Sequence, residues 1–180
     1  MQTFISILRG INVSGQKKML MSELKALYEG LKFKEVITYI QSGNVLFKSE
    51  KNLSDLELAA KIEKAIYKKY GFEVPVIIRT KNEIQNIITV NPFLKEKNIE
   101  VKRLYVTFLS ETPAKENIES AKNFDSSPDQ FFIIGKEAYL CVSNGYGETK
   151  LSNNFFEKKL KVNATTRNWN TVQKLLELAE

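Results

Sequence analysis

Four polar clusters in this chain carry residue types that could hold an anion. The first is Arg9-Gly10-Ile11-Asn12-Val13-Ser14-Gly15-Gln16-Lys17-Lys18. Glycine lets backbone N–H groups approach a ligand closely, and Arg9, Lys17 and Lys18 supply positive charge. Two glycines five apart between a strand and a helix invite comparison with a phosphate-cradling P-loop. That motif needs Lys and then Ser or Thr directly after its second glycine. Gln16 and Lys17 stand there instead, so a Walker-type nucleotidase is not expected. A generic anion site and a plain turn remain the two readings. The second cluster is Gln41-Ser42-Gly43-Asn44, dense in donors and acceptors. It either contacts a ligand or only makes a hairpin turn, because Asn tolerates left-handed backbone and bonds to nearby backbone groups.

The third cluster runs from Asn144 to Asn153, a glycine-rich loop feeding a helix start. Helix N-termini offer N–H groups without an intrahelical partner and the positive end of the dipole. Lys150 and Ser152 could complete an anion site there, with Tyr146 stacking on a ring. The alternative is that Ser152 or Asn153 is an N-cap and Tyr146 packs. The fourth is Thr165-Thr166-Arg167-Asn168-Trp169-Asn170. Arg167 offers a planar fork for phosphate or carboxylate. Asn168 can cap a helix, and Trp169 reads as core because it starts an apolar stripe through Val172 and Leu176.

What is missing narrows the chemistry. There is no histidine, and Cys141 is the single cysteine. Ser-His and Cys-His catalysis, histidine-bound zinc and internal disulfides are therefore excluded. Cys141 sits within a strand and reads as a small packed residue. Asp125 and Asp129 flank Ser126-Ser127-Pro128 and read as loop. No nucleophile or general base is specified, and no cofactor or metal is expected. Net charge is +6, and residues 1–90 carry 14 basic against 9 acidic side chains. Such an excess attracts phosphate groups. Part of it, Lys61, Lys64, Lys68 and Lys69, alternates with Glu57 and Glu63 and reads as the wet face of one helix. Apolar runs are too short to span a bilayer, and no secretory leader is expected, so the expected location is the cytoplasm.

The elements that would position these clusters follow from periodicity. Residues 3–8 read as a buried strand. Met21, Leu24, Leu27, Tyr28 and Leu31 recur at helical spacing. Val36–Ile40 and Val45–Phe47 are two strands of a hairpin. Ser54 and Glu57 have capping-box spacing ahead of a helix that Gly71 stops. Glu73–Arg79 is a strand. That order, β-α-β-β-α-β, is the ferredoxin-like or split βαβ unit. Thr80 and Glu83 form a second capping-box match, and residues 80–100 read as a helical connector. The order then repeats: strand 101–109, a short helix opened by Thr112-Pro113, strands 131–134 and 138–142, helix 150–160 and an extended piece 164–167. Asn168 can cap a last helix, with Trp169, Val172, Leu175, Leu176 and Ala179 on one face. No residue-level repeat is apparent. The expected fold is α+β: two ferredoxin-like subdomains in tandem, 1–79 and 101–180, with a C-terminal helix.

Leu8-Arg9-Gly10-Ile11-Asn12-Val13, Tyr39-Ile40-Gln41-Ser42-Gly43-Asn44-Val45, Gly145-Tyr146-Gly147 with Lys150-Leu151-Ser152-Asn153, and Ala164-Thr165-Thr166-Arg167-Asn168-Trp169-Asn170-Thr171-Val172 stand in order along the chain. Together they resemble the signatures of a widespread bacterial family of about this length, labelled a domain of unknown function. The resemblance covers nearly the whole chain and implies two ferredoxin-like subdomains, but no catalytic residues. Ser14 departs from the family pattern, which often has glycine after the Asn-Val pair; a side chain there stiffens the loop.

The expected function is binding of a small anionic ligand, phosphate- or nucleotide-like, in a basic cleft between the subdomains. The candidate contacts are Arg9, Asn12, Lys17, Gln41, Ser42, Asn44, Tyr146, Lys150, Ser152, Asn153, Arg167 and Asn168. One alternative is a histidine- and metal-independent enzyme acting on a phosphorylated or carboxylated substrate. In it Lys17, Tyr146, Lys150 and Arg167 would stabilise developing negative charge. Another is an RNA-binding or protein-interaction module. RNA ranks lower, because the strand carrying Phe47 lacks the Lys/Arg-Gly-Phe/Tyr pattern of RNA-recognition sheets. The oligomeric state is left open.

Overall fold

The computed structural model describes residues 1–50 and 52–180. By its contacts the chain divides into two units, Met1–Gln85 with Leu175–Glu180, and Asn86–Lys174. The first contains β1 (Gln2–Leu8), α1 (Met21–Gly30), β2 (Lys34–Tyr39), β3 (Asn44–Ser49), α2 (Asp55–Tyr70) and β4 (Val76–Thr80). Its sheet is antiparallel, in the order β2-β3-β1-β4. Helix α3 (Lys81–Val90) follows, then a 3-10 turn at Pro92–Lys95. The second unit contains β5 (Leu104–Leu109), α4 (Lys115–Lys122), β6 (Gln130–Ile134), β7 (Glu137–Cys141), α5 (Asn153–Leu160) and β8 (Ala164–Asn168). Its antiparallel sheet has the corresponding order β6-β7-β5-β8. Helix α6 (Trp169–Leu178) closes the chain. The fold is α+β, with two tandem ferredoxin-like halves and a C-terminal helix.

Strand alternation decides which side chains reach each core. In the first unit Phe4, Leu8, Val45, Phe47, Val76 and Ile78 of the sheet meet Leu24 and Tyr28 of α1 and Leu58, Ile62 and Ile66 of α2. Each such fully buried aliphatic contributes about 1.5–3 kcal/mol, an upper bound because unfolded chains already bury some surface. One polar pair lies inside this apolar layer. Ser6 Oγ and Tyr28 OH are 2.7 Å apart, and both residues are fully buried. Burial drives the Tyr28 phenol well above its ordinary pKa, so it stays protonated. In the second unit Leu109, Ala138, Leu140 and Ala164 meet Ala121 of α4 and Phe156 and Leu160 of α5.

Helix starts follow local chemistry closely. Ser54 Oγ accepts from Glu57 N, and a Glu57 carboxylate oxygen accepts from Ser54 N at 2.8 Å. Thr80 and Glu83 make the same reciprocal pair at the start of α3. Gly71 ends α2 at φ 78°, a left-handed conformation that favours glycine. Asn168 Oδ1 accepts from Thr171 N at 2.8 Å, capping α6. Trp169 is buried, as its place on the stripe requires.

Several boundaries differ from the sequence reading, each for a physical reason. Thr112-Pro113 does not open α4, which starts at Lys115 after an Ala114 cap. Pro113 is buried, so its ring serves packing, and Ala114 after it is still extended at ψ 143°, which leaves Lys115 as the first helical residue. Helix α5 starts at Asn153 rather than residue 150, because Ser152 Oγ accepts from Phe155 N and fixes the cap there. Residues 101–103 form a 3-10 turn, and β5 begins only at Leu104. Strand β4 starts at Val76, directly after Pro75, which has no N–H for a ladder.

A residue-level repeat also emerges. Ile5 pairs with Arg79 and Phe4 with Thr80; Val106 pairs with Arg167 and Tyr105 with Asn168. In each half an arginine stands one residue before a capping side chain at the end of the last strand. Both arginines are buried.

Candidate functional site

The first-unit candidates gather at one end of its sheet, where β1 and β2 finish and β3 and β4 begin. The loop after β1 is a miniature hairpin. Asn12 N donates to Lys17 O, and Gln16 N donates to Val13 O at 2.9 Å. Its tip, Ser14-Gly15, has φ 50° and 72°, the left-handed pair of a tight type I′ turn. Gly10, Asn12 and Lys17 are left-handed too, so five of residues 10–17 hold φ above zero. Each non-glycine residue there costs on the order of 1 kcal/mol or more. Tertiary bonds hold the strained shape. Asn12 Nδ2 donates to Met19 O at 3.0 Å and to Gln41 O at 2.9 Å, while its Oδ1 accepts from Met19 N at 2.8 Å.

The β2–β3 turn is fixed against this loop. Leu8 N donates to Gly43 O at 2.9 Å. Gly43 has φ 86°, and a Cβ built on it would lie 2.6 Å from Ile11 Cδ1 and 2.9 Å from Leu8 Cβ. Only glycine lets the two motifs approach so closely. Asn44 is fully buried, and its Nδ2 donates to Tyr39 O and to Ser42 Oγ. Asn12 and Asn44 therefore hold the corner together.

The cationic groups stand on that frame. Arg9 is half-buried, and its backbone N donates to Pro75 O at 3.0 Å. Lys17 Nζ donates to Glu73 O at 2.6 Å, and Lys18 is exposed. Gln41 is exposed and Ser42 half-buried. The Ser14 and Gly15 amides at the tip have no partner among the described residues. Beneath the corner, a Glu63 carboxylate oxygen accepts from Val76 N at 2.8 Å. Burial raises the pKa of Glu63, the Val76 bond opposes that, and the charge of Glu73 adds to it.

The second-unit candidates form a different kind of cluster. Tyr105 and Tyr146 stack with ring centroids 5.2 Å apart. Tyr146 OH lies 3.4 Å from Asn153 Oδ1, which also accepts from Thr166 Oγ1 at 2.7 Å. Thr166 Oγ1 is in turn 2.7 Å from Thr107 Oγ1, so a chain of hydroxyls crosses the helix side of β5 and β8. Ser152 caps α5 and Asn168 caps α6. Lys150 is exposed, close enough to help hold the Asp125 carboxyl below its ordinary range, after the Ser127 hydrogen bonds. Arg167 leaves β8 on the side opposite Thr166. Its Nη1 donates to Thr165 Oγ1 at 3.0 Å and Thr166 O at 2.9 Å. Desolvation pushes its pKa down to about 10, with Tyr146 acting the other way.

Arg79 and Thr107 are residues that sequence reasoning did not single out, and Thr166 stood in the fourth cluster without being named as a contact. Arg79 is almost fully buried, and its Nη1 donates to Ile78 O at 2.8 Å. Its signal was an arginine one residue before a capping box, the arrangement already noted at Arg167. Cys141 is buried with its thiol pKa pushed up by desolvation, which makes it a poor nucleophile at neutral pH. Among the described residues no three acidic, cysteine or histidine side chains are grouped to hold a metal, and no helix is long and apolar enough to cross a membrane. Two cavities, of about 240 and 350 Å³, are lined by none of the twelve candidates.

A family described as a protein of unknown function, DUF1697, matches residues 1–139. The fold is similar to that of the conserved bacterial protein SP0830 from Streptococcus pneumoniae, with a TM-score of 0.78 and 99% of each chain covered. Identity to that protein is 21%, so the likeness speaks for the fold alone. A comparison with curated proteins finds no match. The matched stretch holds the whole first sheet, the loop and turn motifs of the corner, and most of the second sheet; the chain belongs to the DUF1697 family.

Proposed function

We propose that this protein is a non-enzymatic binding module for a small phosphate-bearing anion, and that the loop corner of the first unit takes the ligand. The observation that carries this reading is the strained hairpin of residues 10–17, tied down by Asn12 and Gly43 and edged by Arg9, Lys17 and Lys18. A loop serving only as a connector gains nothing from five left-handed residues. A loop presenting amides and cations in one fixed geometry does, since pre-set groups lose less freedom on binding. The Ser14 and Gly15 amides and the lysine ammonium groups are the donors offered.

Thermal unfolding with inorganic phosphate, pyrophosphate and nucleotides, each against chloride of equal ionic strength, tests this. A ligand at one hundred times its Kd stabilises the folded state by about 2.7 kcal/mol. In a chain of this size that raises Tm by roughly 5–10 °C. The Arg9→Ala/Lys17→Ala double variant should lose the shift. A matching Tyr146→Phe/Lys150→Ala variant should keep it. No shift with any anion, or a shift lost only in the second variant, contradicts the assignment.

A further inference from the structure

The two sheets have four edge strands, β2 and β4 in the first and β6 and β8 in the second. An edge strand presents backbone donors and acceptors to any strand that can lie beside it, and proteins usually blunt such edges. Three of these four are blunted or buried. β2 carries Lys34 and Glu35, and its pairing with β3 breaks register between Lys34 and Ile37. Glu35 has φ 49° and is tied to Lys48 at 2.6 Å. β4 and β8 are largely buried.

β6 has none of these protections. It reads Gln130-Phe131-Phe132-Ile133-Ile134, with no charge, proline, glycine or bulge, and it pairs with β7 in unbroken register. Phe131 and Ile133 turn inward and pack against the helix-side core. Phe132 and Ile134 remain 48% and 43% exposed. Phe132 rests on Phe93, with ring centroids 5.2 Å apart, and Leu94 beside it is 41% exposed. The result is an apolar rim along an open hydrogen-bonding edge.

We propose that β6 pairs antiparallel with β6 of a second copy of this chain, joining two four-stranded sheets into one of eight. Charge points to a second copy and to this direction. Asp129 precedes the strand, its carboxylate accepting from Ser143 N and Thr149 Oγ1 of its own chain and keeping its negative charge, and Lys136 follows the strand after Gly135. About a twofold axis at Phe132, Asp129 of one copy falls opposite Gly135 of the other, next to Lys136. Parallel pairing would instead set like charges side by side. Antiparallel pairing also sets Phe132 against Phe132 and Gln130 against Ile134 on one face, so the rim meets its own kind. A five-residue edge buries less than a standard interface, so the dimer is weak and concentration-dependent.

Sedimentation equilibrium over a wide concentration range is the test. The average mass should rise from the 20.7 kDa of one chain towards twice that value. Phe132→Lys should keep the protein monomeric throughout, while Ile37→Lys on β2 should leave association unchanged. Because Phe132→Lys also faces Phe93, its circular dichroism and Tm must match the parent. As a second readout, Phe132→Cys in a Cys141→Ala background should cross-link through a short bismaleimide into a covalent dimer. A strict monomer at every concentration, an association that Ile37→Lys abolishes instead, or no cross-link where dimer is present would each overturn the proposal.

Discussion

Gly43 is where the two motifs of the first unit are pressed together, and replacing it with alanine measures how tightly. A new Cβ would lie 2.6 Å from Ile11 Cδ1 and 2.9 Å from Leu8 Cβ, inside ordinary contact distance. Ile11 Cδ1 is the end of a side chain and can swing aside. Leu8 Cβ is tied to the backbone of β1 and can yield only if the strand moves. Leu8 and Ile11 are both buried, so no solvent takes up the displacement. Overpacking of this kind costs about 1–3 kcal/mol. The φ of 86° at Gly43 adds a left-handed penalty of about 1–2 kcal/mol. The reduced freedom of the unfolded alanine chain returns up to about 1 kcal/mol. The expected net loss is roughly 1–5 kcal/mol, centred near 3, read as a lower urea midpoint at unchanged slope. Gly15→Ala is the control. Gly15 has φ 72° but nothing within 4 Å of a built Cβ, so only the backbone penalty applies. Its net cost is about 0–2 kcal/mol, lower than that of Gly43→Ala by the overpacking of about 1–3 kcal/mol. Ile11→Ala should partly rescue Gly43→Ala, because it removes one of the two clashes, and the double-mutant cycle should show coupling of about 0.5–2 kcal/mol. Equal costs for Gly43→Ala and Gly15→Ala would refute the reasoning, since the close approach would then have no energetic consequence.

Three further outcomes follow from the same geometry. Ser14→Asn should stabilise the protein by some tenths to about 1 kcal/mol in urea titration, because Asn tolerates the left-handed first position of the type I′ turn; a loss would show that Ser14 is held there by something else. Thr80→Ala removes the reciprocal cap of α3 and should lower stability by about 1 kcal/mol, whereas Thr80→Ser should hold most of it. Glu63 has a raised pKa in the folded protein, so its ionised form opposes folding. The stability it contributes is complete below the unfolded value of about 4.3 and is lost as pH rises through the folded value. Urea midpoints of Glu63→Gln should therefore gain on the parent between pH 4 and pH 7, and parallel curves would contradict the shift.

Elements set by short-range chemistry were the legible ones. The capping boxes at Ser54 and Thr80, the left-handed stop at Gly71 and the stripe behind Trp169 each need only neighbours in sequence. The order of elements then follows, and with it the α+β class. The misreadings lie where tertiary contacts outvote local signal. Thr112-Pro113 has the right letters for a helix start, but Pro113 is packed in the interior, Ala114 stays extended, and α4 starts at Lys115. Arg79 and Arg167 occupy equivalent register positions, yet their neighbours share little, since strand packing fixes only the side of the sheet each residue takes. At the candidate site, sequence picked out the polar residues without separating their tasks. Asn12 and Asn44 looked like ligand contacts, and their side chains are bonded to Met19, Gln41, Tyr39 and Ser42. The left-handed positions at Ser14 and Lys17 could not be read, because neither residue type favours φ above zero; Asn12 tolerates it, and its side-chain bonds to Met19 and Gln41 hold the loop in place.

The most direct test of the anion-binding corner is an amide chemical-shift titration of the isotopically labelled protein with pyrophosphate, against chloride of matched ionic strength. The account predicts saturable shifts concentrated at Gly10, Ser14, Gly15 and Lys17, extending to Gln41 and Gly43 through the Asn12 bridge. Shifts spread evenly over exposed lysines such as Lys61, Lys64 and Lys68, with the corner unmoved, would contradict it.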